Sequence, residues 1–220
     1  MLIDVGLWPV VEARVVVPVT ARGQETRARL LAAAEKVFGE RSYFQVSMAD
    51  ITREAGVGNG TFYLYFPSKE AAFRELVKER GHELRMVTHL AAEGAAVRSQ
   101  AERAGFAAFF DFINRHRHLY RIVRQAEFVD ADLFREYYDL FAAGYRTALS
   151  AAMDRGEIAR MDPEVLAYCL MGIGDFVGMR WVVWSSDPIP GDVFEAAMRF
   201  IATGLSGTQP VAPEGGGAAE

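Results

Sequence analysis

Residues Ser47–Glu70 read SMADITREAGVGNGTFYLYFPSKE, and this stretch decides the fold. Ser47 precedes an apolar-periodic run and Asp50 follows three residues later, so the pair forms a capping box that starts a short helix. The helix ends at Ala55, because Gly56 supplies the left-handed residue that closes a helix. A second short helix is expected over about Asn59–Tyr65. Phe66-Pro67 breaks it, since the residue before a proline avoids helical backbone angles. Ser68 then caps a longer helix. Short helix, tight turn, short helix is a helix-turn-helix. Two such helices cannot bury a core alone, so Ile51, Ala55, Val57, Phe62 and Phe66 must pack on a preceding helix. That helix is expected from about Gln24 to Gly39, with Leu30, Ala34, Val37 and Phe38 on one face.

The second short helix has the chemistry of a major-groove reader. Gly58, Asn59, Gly60 and Thr61 are small and allow close backbone approach. The Asn59 amide can pair with adenine N6 and N7. Thr61 can donate to a phosphate or touch a thymine methyl. The phenols of Tyr63 and Tyr65 can reach phosphates. Lys69, at the start of the next helix, would add its ammonium to a positive helix end that faces phosphate.

The spacing resembles the signature of the TetR family, roughly T-V-x-x-I-A-x-x-A-G-V-S-x-G-T-L-Y-x-Y-F-x-S-K. It appears here as Ser47-Met48, Ile51, Ala55-Gly56-Val57, Gly60-Thr61-Phe62-Tyr63, Tyr65-Phe66 and Ser68-Lys69. The resemblance covers Gln24–Leu76. It implies an all-α homodimer whose N-terminal helices bind a palindromic operator and whose C-terminal helices bind a small molecule. By position it places Asn59, Gly60, Thr61 and Leu64 against base edges, and Ser47, Tyr63, Tyr65 and Lys69 against phosphates. Two positions depart from the pattern. Gly58 stands for the usual serine cap, and Thr52 for the usual alanine.

The rest of the chain is also helical in period. Further helices are expected over Lys69–Leu90, Ala101–Arg115, Arg117–Gln125, Ala131–Arg155, Pro163–Trp184 and Asp192–Leu205. The implied organisation is an N-terminal arm (1–21), a helix-turn-helix domain (22–68), a helical effector-binding and dimerisation domain (69–205) and a disordered Gly/Ala/Pro-rich tail (206–220). Half of the 220 residues are apolar, enough for a substantial core. Net charge is −5, yet residues 20–80 hold ten Lys/Arg against eight Asp/Glu, so the basic character lies in the N-terminal segment. Cys169 is the single cysteine, which excludes an internal disulfide and fits the cytoplasm. Asp175 and Arg180 inside the apolar stretch Val165–Trp184 argue against a membrane span.

Aromatic residues crowd the C-terminal half. Most belong to core or interface. The remainder suggests an apolar effector pocket with a few orienting polar groups. Its candidates are Phe109, Phe110, Arg121, Gln125, Tyr138, Phe141, Asp175 and Phe176, for an apolar or aromatic effector, acyl thioesters included. Asp175 either pairs with an internal arginine or meets the ligand. Phe194, Met198, Ile201 and Leu205, with Gly174 and Gly178, are expected in the dimer interface. No catalytic motif, cofactor loop or metal-ligand set is apparent. The four histidines do not share a ligating spacing. The competing reading is an all-α ligand-binding or scaffold protein without a specific DNA partner, supported by the acidic net charge alone.

Overall fold

The computed structural model describes residues 20–185 and 187–207. The expected N-terminal arm and C-terminal tail lie almost wholly outside these residues. Nine α-helices occur among them: α1 (Ala21–Glu40), α2 (Met48–Glu54), α3 (Asn59–Tyr63), α4 (Lys69–Ala92), α5 (Arg98–Arg115), α6 (His118–Val129), α7 (Ala131–Asp154), α8 (Pro163–Gly178) and α9 (Gly191–Ser206). No strand appears among the described residues. The chain divides into two compact units, one ending at Leu76 and one beginning at Val77.

In the first unit the local signals act as expected. The Ser47 hydroxyl accepts from the Asp50 N–H while the Asp50 carboxylate accepts from the Ser47 N–H at 2.9 Å. Gly56 has φ +65°, the left-handed angle that ends α2. Ser68 accepts from the Ala71 N–H at 3.0 Å and starts α4. Leu30, Ala34, Val37 and Phe38 of α1 are buried with Ile51, Phe62 and Phe66. The first turns of α4 join this core through Ala72, Phe73 and Leu76. Phe73 meets Phe38 edge-on at 5.3 Å. The apolar contacts of α4 thus carry the first unit past Lys69, to Leu76.

The second unit is built from the rest of α4 and from α5–α9. Helix α7 packs against α6 and α8, and α5 against α8 and α9. Helix α5 starts three residues before the expected Ala101. Arg98 pairs with Glu102 one turn on, and its own N–H is held by Glu157 at 2.7 Å. The expected single helix Pro163–Trp184 is interrupted: a π-helical turn over Met179–Val183 follows α8. The Tyr120 hydroxyl reaches the carbonyls of Asp175 (2.8 Å) and Gly174 (3.3 Å), competing with the helical ladder just before the turn. A Cβ at Gly178 would lie 2.4 Å from that hydroxyl, so only glycine admits Tyr120 there. By length and composition Pro163–Val183 could cross a membrane. Here Ala167, Leu170, Gly174 and Gly178 are buried among neighbouring helices.

Candidate nucleic-acid interface and effector cavity

Helix α3 is held outward by Phe62, which is fully buried, while Asn59, Gly60, Tyr63 and Leu64 are exposed. Its N-cap is Gly58, in extended conformation and without a capping side chain. A Cβ at Gly60 would meet nothing within 4 Å, so the backbone there is open to a close approach. Thr52, only 1% exposed, lies behind α3, and its hydroxyl reaches the Asn59 side-chain oxygen at 2.6 Å. Asn59 is therefore fixed to α2 by the residue that departs from the family pattern.

Ser47 is exposed, but its hydroxyl proton goes to Asp50 at 2.6 Å, so phosphate would have to displace an existing bond. Hydrogen bonds from Ser47, with Arg41 and Arg53 nearby, hold the Asp50 carboxyl well below the usual carboxylate range. Lys69 is placed differently from the expectation. Its ammonium donates to the carbonyls of Tyr43 and Val46, both at 2.8 Å, and lies 4.1 Å from the Tyr43 ring centre. Burial lowers its pKa. A 3-10 turn over Tyr43–Gln45 creates this carbonyl pair, and Lys69 ties that turn to α4 instead of extending toward phosphate. Two cations not singled out in the sequence take the flanking position. Arg22 and Arg29, both exposed on α1, line a groove with Gly58, Thr61 and Tyr65.

The second unit holds a partly open cavity of about 220 Å³ lined by α4, α5, α6, α7 and α8. Of the expected pocket residues, Phe109, Tyr138, Phe141 and Asp175 line it. Phe110 instead lies in the core, 2% exposed and edge-on to Phe194. Arg121 and Gln125 are not among the lining residues. The α6 face toward the cavity carries Leu119, Tyr120, Val123 and Arg124. Phe176 is 63% exposed, one residue and a third of a helical turn from Asp175. Asp175 meets an internal arginine, Arg124 at 3.4 Å. Burial raises the Asp175 pKa and Arg124 partly offsets this. Burial pushes the Tyr138 phenol up to about 12. The lining is thus mostly aromatic and aliphatic with a few charged groups.

The expected interface stripe is also placed elsewhere. Met198, Ile201 and Leu205 are buried in the chain's own core, and Gly174 and Gly178 face Phe106, Phe109 and Tyr120. Periodicity marks a buried face without saying which partner buries it. On α8, just beyond it and on α9, the large apolar residues left exposed are Val165, Tyr168, Phe176, Trp184 and Phe200.

A three-helix unit that presents a short, open helix flanked by cations, followed by a helical unit with an apolar cavity, is the architecture of a helix-turn-helix transcriptional regulator. The family model for bacterial regulatory proteins of the tetR family matches residues 30–76. The regulator EthR of Mycobacterium tuberculosis is 30% identical over 151 residues, covering 66% of this chain and 70% of EthR. YdgC of Bacillus subtilis, an HTH-type transcriptional regulator, is 30% identical over 158 residues, covering 70% of this chain and 79% of YdgC. The chain belongs to the TetR family and is a DNA-binding transcriptional regulator. Its fold is also that of FadR from Bacillus subtilis, solved with stearoyl-CoA, at TM-score 0.73 and 20% identity over 81% of this chain and 98% of that one.

Proposed function

We propose that this regulator is a ligand-responsive repressor that binds a palindromic operator as a homodimer in the cytoplasm and is released by an effector in the cavity of its second unit. The observation that carries this reading is α4. Its first turns, through Ala72, Phe73 and Leu76, belong to the core of the DNA-binding unit, and Arg85, Thr88 and His89 further along line the cavity. A ligand that shifts one end of a continuous helix shifts the other. In a dimer this changes the separation of the two recognition helices, which must enter successive major grooves about 34–36 Å apart.

On this reading Asn59, Gly60, Thr61 and Leu64 face bases, while Tyr63, Tyr65, Arg22 and Arg29 hold phosphates. The exposed apolar residues of α8 and α9 meet a second copy, because a lone helix-turn-helix grips only one half-site. The effector is apolar or aromatic, and an acyl thioester is favoured by the stearoyl-CoA bound to the structurally similar FadR. A mobility shift on the DNA upstream of the protein's own gene tests the reading. A complex with that DNA, surviving excess random DNA and weakening with salt, is expected. Equal competition by random DNA would leave only nonspecific binding.

A further inference from the structure

We propose that the cavity's ligand is an anionic amphiphile whose acid group is received by the guanidinium of Arg85 on α4. The inference rests on the reading of the cavity as the effector site. Three arginines line the cavity: Arg85, Arg98 and Arg124. Two carboxylates, Glu102 and Asp175, line it with them. The Arg98 guanidinium forms two hydrogen bonds to Glu102, one at 2.8 Å from Nε, with both side chains largely buried. Arg124 stands opposite Asp175. Both carboxylates therefore already have a cation, and a cationic ligand finds no open partner.

Arg85 differs. Among the described residues no carboxylate lies within ion-pair distance of it. The Glu136 carboxylate, whose charge it feels, is bonded to Lys78 at 3.0 Å. The guanidinium lies 5.4 Å from the Phe141 ring centre. Burial lowers its pKa, so its charge is held in a place that solvates it poorly. A partly buried charge without a counter-ion is costly, and a ligand anion removes that cost. The planar fork of guanidinium N–H groups matches a carboxylate or a phosphate. The apolar remainder of the cavity, including Phe106, Phe109, Ile113 and Leu170, suits an alkyl or aryl chain. Arg85 stands on the helix that begins in the DNA-binding unit, so an anion bound there acts directly on α4.

The test uses the full-length protein and three probes with one twelve-carbon chain: dodecanoate, dodecanoyl-coenzyme A and dodecan-1-ol. Calorimetric titration should give at least one anionic probe binding roughly ten- to a hundredfold more tightly than the alcohol, the range set by hydrogen bonds to a charged group. Arg85→Gln should lose that advantage while keeping its affinity for the alcohol, which also shows that the variant is folded. Arg85→Lys should recover part of it. Binding of the free acid identifies a carboxylate as the anion, and binding of the thioester alone identifies the phosphates of its carrier. Equal binding of alcohol and anions, or an unchanged Arg85→Gln, overturns the role of Arg85 and leaves the cavity reading standing. Binding of none of the three overturns both.

Discussion

The hydroxyl of Thr52 lies 2.6 Å from the side-chain oxygen of Asn59 and joins the buried face of α2 to the first residue of the recognition helix. The amide N–H donors of Asn59 take no part in that bond. Thr52→Val keeps the buried shape and removes the bond. Operator affinity should fall roughly two- to tenfold, the worth of one hydrogen bond, with looser preference at the base pair read by Asn59. Asn59→Ala should cost about 1–3 kcal/mol at that base pair. Site selection from random DNA checks both. Unchanged base preference in Asn59→Ala would remove it from base reading.

The phosphate contacts follow from where the cations stand. Arg29→Ala should weaken binding to all DNA sequences and reduce the salt slope by about 1. Lys69→Ala should instead lower the melting temperature of the free protein, since the Tyr43 and Val46 carbonyls lose their donor. Anisotropy titrations at several salt concentrations, beside thermal melts, separate the two. A Lys69→Ala variant with normal stability and a reduced salt slope would return Lys69 to the phosphate.

The capping box at Ser47 and Asp50 was legible because its partners are three residues apart. So were the turn glycine and the breaks at Phe66-Pro67. The position of Lys69 was not, because its acceptors are carbonyls 23 and 26 residues away, at a 3-10 turn whose local Ser42–Gln45 capping pair says nothing about what those carbonyls bind. The same limit applied to the cavity. Tyr120 and Arg124 share a helix face, as do Arg121 and Gln125, and only the packing of α6 selects the first pair. The stripe Met198, Ile201, Leu205 showed a buried face, while its burier, the chain's own core, lay in tertiary structure.

Acid should weaken the first unit through Asp50. Its carboxyl is more acidic in the folded than in the unfolded chain, so its contribution is full above the unfolded value near pH 4 and is lost as pH falls below it. The stability gap between wild type and Asp50→Asn should therefore be widest near neutrality and narrow from about pH 4 downward. Glu102 acts in the opposite sense, since burial raises its pKa. Thermal melts across this range check the sign, and a gap that widens in acid would contradict it.

Phe200 and Ile201 are neighbours on α9 with opposite surroundings, 70% and 4% exposed. Phe200→Glu should leave a folded protein that sediments as a monomer and loses operator affinity. Ile201→Ala should destabilise the fold by about 2–5 kcal/mol through a core cavity. Sedimentation velocity and denaturant melts tell these apart. A Phe200→Glu dimer with normal operator binding would place the interface elsewhere.

Release of DNA by a ligand requires coupling of the cavity to the recognition helix through α4. This coupling is tested by measuring the affinity of one cavity ligand, found by thermal shift, with and without saturating operator DNA. Coupling is reciprocal, so DNA must weaken the ligand by the factor by which the ligand weakens DNA. Equal factors of about 5–150 are expected, the usual range for a coupling of about 1–3 kcal/mol. Identical ligand affinity in the two titrations would contradict it.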